Sequence, residues 1–334
     1  MNRTTILIIV VHDFAGHPGQ IQLSRELAAR GHVVEHQYCA SVPTGRGAMQ
    51  VRRDDPKSFS VHPIDLGGQF ARYSPMRRML QELRYVAMAY ASVRRMKPDI
   101  AIFANVPLAA MFFLSVGLRI GRTPYVFWWQ DFYSEGVRVV AERRFGAAGR
   151  LIGLAAKRLE RSVARHASAV VPITDAFVEQ LRKWGVEPAR IRVIPNWAAL
   201  DELPLRPRKN DWAASHGLAE QPTVMYAGTI GLKHDPSAIA KLAEAVPDNC
   251  RVVVISEGSG RQWLEDNASH EPKLAVLNYQ PFEAVPDMLA SADVLLVMLE
   301  RNASRYSVPS KALTYLCAGR PVLAILPSDN AIAR

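Results

Sequence analysis

The sequence has 334 residues, which is long enough for two domains of ordinary size. Apolar residues make up 49% and charged residues 22%, a globular balance that excludes a disordered or fibrous chain. The net charge of +10 is unevenly distributed: residues 1–196 hold 28 basic and 15 acidic residues, whereas residues 197–334 hold 13 and 16. We therefore expect only the first part to be drawn to an anionic surface, either a nucleic acid or an anionic bilayer leaflet.

Cysteine usage and the apolar runs predict a cytoplasmic protein. The cysteines are far apart and lie in or beside apolar runs, which favours buried thiols over a disulfide or metal site; they are Cys39, Cys250 and Cys317. The apolar run 6–11 is too short for a secretory signal. The longer run 100–118 is interrupted by Asn105 and Pro107, so we interpret it as a strand and a helix of a core rather than a membrane span.

Strand-like and helix-like segments alternate through the first half of the chain. The predicted strands are Thr5–Val11, Val33–Tyr38, Ile100–Ala104, Tyr125–Trp129, Ala169–Ile173 and Ile191–Ile194. The predicted helices are Gln20–Arg30, Met76–Met96, Leu108–Ile120, the region Val137–His166 and Asp175–Trp184, with a polar loop at 41–58. This alternation is typical of a parallel, doubly wound α/β sheet.

The second half repeats the pattern after a proline-rich and charged linker at 195–221. Its predicted strands are Thr223–Ala227, Arg251–Ser256, Ala275–Asn278, Val294–Leu299 and Val322–Leu326. Its predicted helices are Ser237–Val246, Gly260–Asn267, Glu283–Ala290 and Lys311–Ala318. The sequence therefore predicts two doubly wound domains, 1–196 and 197–334, with a ligand bound in a cleft at the carboxyl ends of the strands.

Three strand ends of the second half carry residues suited to a phosphorylated ligand. The segment 226–233 holds Gly228 and Gly231, which allow close backbone approach, and Lys233, which supplies a positive charge. Glu257 and Gly258 follow the next strand, where a carboxylate can accept from ribose hydroxyls. Tyr279 after the third strand offers an aromatic face to a base. The alternatives are an ordinary glycine turn with a solvated lysine, a solvent-facing glutamate and a proline turn.

The segment 304–324 reads as an exposed turn at 307–310, a helix from Lys311, a stop at Gly319 and a buried strand from Pro321. A polar turn that leads directly into a helix brings unpaired N–H groups and a lysine to one point. Such a point can hold phosphate. The alternative is an ordinary connection between a helix and a strand.

The first half offers a second candidate site. Gly16, His17 and Gly19 lie between the first strand and its helix and form a loop able to take an anionic or hydroxyl-rich group. Trp128 and Trp129 precede Asp131 at another strand end, and aromatic rings suit sugar faces. Asp131 is therefore a candidate acid or base. The alternatives are a loop histidine and an aspartate that caps a helix.

The helical region 137–166 is basic and amphipathic. Its basic residues are Arg138, Arg143, Arg144, Arg150, Lys157, Arg158, Arg161 and Arg165, with Ile152, Leu154 and Leu159 between them. Such a stretch can lie on anionic lipid, or it can be the solvated face of a packed helix.

In this order, the segments resemble a bacterial retaining glycosyltransferase of family 4, with the GT-B fold. More closely, they are similar to the subgroup that builds O-antigen and exopolysaccharide repeat units. The matching segments are the first strand with Gly16 and Gly19, AARGHVVEH at 28–36, VIPNW at 193–197, YAGTIG at 226–231, ISEGSGRQWLE at 255–265, NYQPFEAVPDMLASADVLLV at 278–297 and VPSKALTYLCAGRPVLA at 308–324. The resemblance spans nearly the whole chain and is strongest over 222–327.

This resemblance implies two Rossmann-like domains facing a cleft, with acceptor binding in the first and nucleotide-sugar binding in the second. The implied donor-binding residues are Gly228, Thr229, Ile230, Glu257, Gly258, Tyr279, Pro309, Ser310 and Thr314. Gly16, His17 and Gly19 would bind the acceptor, and Asp131, Lys233 and Lys311 would carry catalysis. The lysines would hold the departing diphosphate while the sugar carbon becomes oxocarbenium-like. The resemblance implies no cofactor and no catalytic metal, and the chain has no Asp-x-Asp pair.

Two departures from the family pattern stand out. The paired glutamates often found at the family's sugar site correspond to Tyr306 and Thr314 here, as in the subgroup with Pro-Ser-Lys. The chain ends at Arg334, before the further strand and helices that the fold normally has, so the second domain is expected to be incomplete.

The favoured function is transfer of a hexose or N-acetylhexosamine from a nucleotide-sugar to a lipid-diphosphate-linked saccharide. We expect the enzyme to be peripheral on an anionic, cytoplasmic membrane face, with no nucleic acid as partner. The alternatives are a nucleotide-sugar 2-epimerase on the same fold and a non-catalytic partner of a transferase.

Overall fold

The computed structural model describes residues 5–42, 49–71, 74–231, 233–304 and 307–333. The chain divides into two compact units, Met1–Asn196 and Trp197–Arg334. Tyr306, one of the two positions that depart from the family pattern, lies outside the described residues.

Within the described residues, the first unit holds a six-stranded parallel sheet in the order β3-β2-β1-β4-β5-β6. Its strands are β1 (Ile8–Asp13), β2 (Val33–Cys39), β3 (Phe59–Ile64), β4 (Ile100–Ala104), β5 (Tyr125–Trp129) and β6 (Ala169–Pro172). Its helices are α1 (Pro18–Ala29), α2 (Pro75–Met96), α3 (Leu108–Ile120), α4 (Tyr133–Phe145), α5 (Ala147–His166) and α6 (Val178–Lys183). The prediction of a doubly wound sheet is confirmed.

The second unit repeats this plan with five strands in the order β11-β10-β7-β8-β9 among the described residues. The strands are β7 (Thr223–Ala227), β8 (Arg251–Ile255), β9 (Leu274–Leu277), β10 (Val294–Met298) and β11 (Val322–Ile325). The helices are α7 (Asp211–Ser215), α8 (Pro236–Ala245), α9 (Ser259–Asn267), α10 (Val285–Ala290), α11 (Arg301–Ser304) and α12 (Lys311–Cys317). Successive residues of β7 enter opposite core layers: Met225 packs in one cluster and Tyr226 in the other, so both faces are covered.

In each sheet, the order in which successive strands are added reverses beside the first strand. The first sheet does so between β1 and β4, where Asp13 pairs with Ala104 in the register. The second does so between β7 and β10. In open parallel sheets, ligands bind beyond the carboxyl ends of strands at such switch points. The loops after β1, β4 and β7 are therefore the places to look for chemistry.

The region 137–166, predicted as a single helical stretch, forms two helices instead. Gly146 separates α4 from α5 with φ +53°, a left-handed conformation that favours glycine. The two helices run antiparallel, and their backbones approach each other very closely. A Cβ on Gly149 would lie 2.2 Å from the carbonyl oxygen of Ala141, and one on Gly153 would lie 2.6 Å from Cγ of Arg138. These glycines allow an antiparallel helical hairpin that the basic, amphipathic pattern alone does not reveal.

Three predictions of secondary structure in the first unit and the linker were wrong. The strand β3 was missed because its sequence, FSVHPI, is short and contains a histidine and a proline; it lies at the sheet edge, where proline is tolerated. Ile191–Ile194 is not a strand; only an isolated bridge joins Val170 to Ile191. The linker 195–221 contains α7, whose first turn is capped by the side chain of Asn210.

In the second unit, the turn predicted as exposed is partly buried. Ser307 and Pro309 are buried, and only Ser310 is exposed. The strand predicted as buried, β11, is instead largely exposed, because within the described residues it lies at the sheet edge and pairs only with β10. Of the three free cysteines, Cys317 is partly exposed rather than buried.

Two further features of the surface bear on function. The apolar residues at helical spacing near the start of α2 are exposed rather than packed; they are Met76, Met79, Leu80 and Leu83. Over the described part of the chain, no helix combines the length and the apolar character needed to cross a bilayer.

Candidate active site

The loop after β7 is built around a glycine that no other residue could replace without strain. Gly228 has φ +139° and donates its N–H to the carbonyl of Ile255 at 2.9 Å. A Cβ at this position would lie 2.8 Å from Nζ of Lys311. The predicted donor residues Gly228 and Lys311 are therefore neighbours, although 83 positions separate them in the sequence.

Lys311 begins α12 and extends into an aromatic environment. Its ammonium donates to the hydroxyl of Tyr226 at 2.5 Å and lies 3.9 Å from the centroid of the same ring. No carboxylate of the described residues forms an ion pair with it. Burial therefore lowers the pKa of Lys311 from 10.5 to about 7. An ammonium has three N–H donors, and Tyr226 accepts from only one of them. An anion that binds here could therefore accept hydrogen bonds from Lys311 and balance its positive charge.

Tyrosines hold this loop in place. Tyr315 donates its hydroxyl to the carbonyl of Ala227 at 2.9 Å and accepts from the N–H of the same residue at 2.8 Å. The hydroxyl of Tyr226 donates to the carbonyl of Thr229 at 3.1 Å. The side chains of Thr229 and Tyr279 are hydrogen-bonded to each other, which unites two predicted donor residues.

Lys233 lies on the far side of the same loop. Its ammonium donates to the hydroxyl of Ser307 at 3.0 Å, and its carbonyl accepts from the N–H of Glu300 at 2.9 Å. Both lysines influence His234: burial, then the charges of Lys311 and Lys233, lower the pKa of that imidazole to about 4, against an opposing hydrogen bond from Gly231. His234 is thus a neutral group between two cations.

The loop after β8 packs directly onto the glycine loop. The N–H of Ile230 lies 3.1 Å from the hydroxyl of Ser256 and 3.2 Å from the carbonyl of Glu257. Gly258 has φ +99°, and a Cβ on Gly260 would lie 2.0 Å from Cγ2 of Ile230. The carboxylate-bearing side chain of Glu257 is exposed and free of the core, as binding of a ligand hydroxyl requires.

The structure does not bring every predicted donor residue to this point. Pro309 is buried beside the turn, whereas Ser310 is exposed and its hydroxyl does not cap α12. Thr314 is partly exposed one turn after Lys311, and its carbonyl accepts from Ala318 at 3.3 Å. No hydrogen bond among the described residues links Ser310 or Thr314 to the glycine loop.

Sequence reasoning missed Tyr226 and Tyr315 as site residues. Tyr226 lies inside the segment YAGTIG, and its position at the end of a buried strand gives no sign that its hydroxyl meets a lysine. Tyr315 could have been found, because it follows Lys311 by four residues and so shares its helical face.

In the first unit, a buried aspartate organises the loop after β1. Asp13 ends β1 and is fully buried. Its carboxylate accepts from the backbone N–H of His17 and, at 2.8 Å, from Nδ2 of Asn105 at the end of β4. Nδ1 of His17 lies 3.5 Å from this carboxylate and 3.2 Å from the Asn105 amide. Gly16, with φ +73°, turns the chain, and Gly19 lies in the first turn of α1.

These contacts shift both ionisations. Burial would raise the pKa of Asp13, but the charge of His17 and the hydrogen bonds from His17 and Asn105 hold it below its ordinary value. Burial would lower the pKa of His17, but the charge and hydrogen bond of Asp13, followed by the charge of Asp131, raise it. The side chain of His17 is still 49% exposed. The loop therefore presents an imidazole that is protonated more readily than an ordinary histidine and that solvent or a ligand can reach.

Glu160 of α5 caps the start of α4. The N–H groups of Tyr133 and Ser134 at the start of α4 both donate to Glu160 at 3.0 Å. Asp131 is half-buried and close enough to His17 to raise its pKa. The charge of Asp131 therefore acts on His17, the other polar side chain of the candidate acceptor site predicted from the sequence.

The tryptophans before Asp131 belong to the core. Trp128 and Trp129 are both buried, and Nε1 of Trp129 donates to Glu160 at 2.9 Å. The expectation that these rings face a sugar is therefore wrong. Asp13 and Asn105 were missed because the contact between β1 and β4 is set by sheet order; a search of switch-point strand ends would have found them.

Groups of three or more His, Cys, Asp or Glu side chains with metal-binding geometry do not occur among the described residues. The basic and hydroxyl groups of the second unit suit an anionic ligand instead.

Comparison with known proteins identifies the class. Residues 21–197 match the glycosyl transferase 4-like domain family. The chain is 25% identical over 239 residues to WcaI of Escherichia coli K12, named as a colanic acid biosynthesis glycosyl transferase, covering 68% of this chain and 57% of WcaI. The chain spans less than two thirds of the length of the curated relatives it matches, between 39% and 57%.

Solved structures show the same fold. Anabaena HepE, solved in complex with UDP-glucose, matches with a TM-score of 0.62 at 15% identity over 95% of this chain and 80% of its own. WaaG, a glycosyltransferase involved in lipopolysaccharide biosynthesis, matches with a TM-score of 0.61 at 17% identity over the same shares. Each unit contains a doubly wound parallel sheet, and these glycosyltransferases share that arrangement. The fold is therefore GT-B. The chain belongs to the glycosyl transferase 4-like family.

Proposed function

We propose that the protein is a retaining glycosyltransferase that moves a hexose or N-acetylhexosamine from a nucleotide-sugar to a lipid-diphosphate-linked saccharide. It would act in cell-surface polysaccharide synthesis, peripherally on the cytoplasmic membrane face, without a cofactor or metal. One observation carries the proposal: the ammonium of Lys311 reaches Gly228 at the switch point of the second unit, and Tyr226 is its only hydrogen-bond partner among the residues that the structure describes.

A diphosphate fits this point for electrostatic reasons. Keeping the largely desolvated ammonium of Lys311 without a counter-ion is unfavourable, and an incoming phosphate would supply the opposite charge together with hydrogen-bond acceptors. Lys233 would provide a second cation, and Gly228 removes the side chain that would otherwise block backbone approach. Thr229, with Tyr279, and the exposed Glu257 would contact the rest of the donor.

The relatives support this assignment by their names. HepE was solved with UDP-glucose, and WcaI and WaaG are named for colanic acid and lipopolysaccharide biosynthesis. We extend the donor class and the polysaccharide role to this chain on that basis.

In the reaction, the bond between the sugar's anomeric carbon and the diphosphate oxygen breaks as an acceptor hydroxyl oxygen bonds to that carbon. The hydroxyl proton leaves on the departing phosphate, so charge and atoms balance. Fixed cations at the leaving group lower the barrier because negative charge accumulates there. We assign that role to Lys311 and Lys233, whose charges both act on the imidazole of His234.

The acceptor would bind at the loop after β1. His17, whose pKa Asp13 raises, can donate to an acceptor oxygen, and Asp131 adds a carboxylate able to accept from a sugar hydroxyl. Asp13 and Asn105 act here as positioning residues, because they hold the loop and are themselves buried or bonded to it.

The test is a thermal-shift and transfer panel with UDP-, GDP- and dTDP-sugars on the wild type, Lys233→Ala and Lys311→Ala. We expect a cognate donor to stabilise the wild type and both variants to lose most of that effect. Lys241→Ala, an exposed lysine on α8, is the matched control and should respond like the wild type. Unchanged donor binding in Lys311→Ala would remove the proposed site.

The same panel separates the alternative functions. A 2-epimerase would convert the nucleotide-sugar without an acceptor, and a non-catalytic partner would bind no nucleotide at all.

A further inference from the structure

The α4–α5 hairpin extends beyond the carboxyl edge of the first sheet. Its base lies at that edge, because Trp129 at the end of β5 and the first N–H groups of α4 all bond to Glu160 of α5. From Tyr133, α4 runs 13 residues to the turn at Gly146, about 20 Å at 1.5 Å per residue. The tip of the hairpin therefore lies well outside the sheet.

The outer part of this hairpin has few packing partners. In residues 143–158 only Gly149, Gly153 and Ala156 are buried, and all three face the interhelical contact or the core. Large apolar side chains are left exposed: Leu151 by 70%, Phe145 by 53% and Leu154 by 49%. Val137, Val140 and Ile152 are also exposed. Such a concentration of apolar surface on one projecting element marks an interaction surface.

The charged residues at the tip of the hairpin are all positive. Residues 143–159 contain five basic residues and no acidic residue: Arg143, Arg144, Arg150, Lys157 and Arg158. The acidic residues of α4, Glu135 and Glu142, are partly exposed and both pair with Arg138, at 2.8 and 2.9 Å. They therefore do little to reduce the positive charge of the tip.

On α5, basic and apolar side chains share the solvent face. Arg150, Leu154 and Lys157 follow each other at helical spacing, with Leu151 and Arg158 beside them. Long basic side chains flanking exposed leucines are typical of helices that lie in the interface of an anionic membrane. A nucleic acid would attract the charges but would leave the leucines and Phe145 in water.

We propose that the outer part of the α4–α5 hairpin, residues 137–158, docks the first unit onto an anionic lipid bilayer. Phe145, Leu151 and Leu154 enter the headgroup region while Arg150 and Arg158 contact lipid phosphates. The surface rises from the sheet edge that carries His17 and Asp131, so docking holds the candidate acceptor loop at the membrane. The inference deepens the proposed function by naming its membrane surface, and vesicle binding, its readout, does not require donor binding.

The test is sedimentation of the full chain with vesicles of phosphatidylcholine alone or with 30% phosphatidylglycerol at about 0.1 M salt. We expect binding to the anionic vesicles only. Arg150→Glu/Arg158→Glu should reduce the partition coefficient at least tenfold, and Leu151→Asn/Leu154→Asn should reduce it severalfold.

A matched control uses the opposite edge of the same sheet. Arg119→Glu/Arg122→Glu changes the net charge equally, and Ile120→Asn removes an equally exposed apolar side chain, near the start of β5. Both controls should bind like the wild type. All substituted residues are exposed, so we expect the circular dichroism spectrum and the thermal shift with nucleotide-sugar to match those of the wild type. A variant that lacks both the folded spectrum and the thermal shift would be replaced by the single Leu151→Asn change.

Three outcomes would overturn the proposal. One is equal binding of the wild type and the Arg150/Arg158 variant to anionic vesicles. A second is loss of self-association, rather than of vesicle binding, in the Leu151/Leu154 variant. The third is tight binding of duplex nucleic acid through these arginines with no binding to vesicles. Donor binding that persists in any of these cases would leave the proposed transferase function intact.

Discussion

Replacing Lys311 by methionine should stabilise the protein in a pH-dependent way. The wild-type side chain keeps an ammonium beside Tyr226 without an ion pair, and its pKa falls from 10.5 to about 7. That change corresponds to at most about 5 kcal/mol. Lys311 is partly exposed and loses one hydrogen bond on substitution, so we expect roughly 2–3 kcal/mol of stabilisation below pH 7.

The sign of the pH dependence follows from the two pKa values. The folded-state pKa lies below the unfolded-state pKa, so between about pH 7 and 10.5 the unfolded wild type binds more protons than the folded one. Wild-type stability therefore rises with pH in that window. The advantage of Lys311→Met should be full below pH 7 and should fall by about 1–2 kcal/mol between pH 7 and pH 9.

Urea unfolding of both proteins at pH 6, 7, 8 and 9 measures this difference. Lys241→Met, at an exposed position on α8, is the control and should differ from the wild type by a constant amount. A Lys311→Met difference that is independent of pH, or a destabilised variant at pH 6, would refute the reasoning. Added nucleoside diphosphate should raise the free energy of unfolding of the wild type but not of Lys311→Met, because its phosphates supply the negative charge that Lys311 lacks.

Three further changes test other parts of the structure. Gly228→Ala should weaken donor binding at least tenfold, because its Cβ would lie 2.8 Å from Nζ of Lys311 and its φ is +139°; calorimetric titration measures it. Asp13→Asn should lower the pKa of His17, which NMR titration of the imidazole reports, and so shift its cationic range to lower pH. Glu160→Ala should destabilise the protein by about 3–5 kcal/mol in urea unfolding, because three N–H donors lose a buried acceptor.

Each of these three substitutions has a control, or an outcome that would contradict its prediction. Gly231→Ala should bind donor normally, since only a methyl of Thr229, at 4.0 Å, is near its Cβ position; equal loss in both variants would contradict the argument. An unchanged His17 midpoint in Asp13→Asn would show that the ion pair does not set it. Glu179→Ala, which breaks an exposed pair with Lys183, should change stability by less than about 1 kcal/mol. A similar small effect of Glu160→Ala would rule out the capping role.

Much of the fold could be predicted because it depends on local pattern. The strands Ile100–Ala104 and Tyr125–Trp129 and the helix Leu108–Ile120 have the bounds that their apolar runs indicate. Long buried strands separated by amphipathic helices leave few arrangements other than a parallel sheet. Where the pattern is weak, as in the edge strand Phe59–Ile64, prediction failed.

The candidate site was predicted in part for the same reason. Glycines at strand ends are visible in a sequence, so Gly228 and Gly16 could be named. The contacts around them could not be predicted, because Lys311 meets Tyr226 across 85 residues and Asn105 meets Asp13 across 92. The exposure of Leu151 was equally hidden, since an apolar residue on an amphipathic helix reads as buried until the helix is seen to project from the core.

The sequence by itself thus determined the order and type of most elements, since backbone propensity and apolar periodicity act over a few residues. Only the tertiary structure decided which strand ends meet, which lysine is left without an ion pair and which apolar face stays in solvent. These depend on the order of strands in the sheet and on close helix contacts such as that at Gly149, which join residues far apart in the chain.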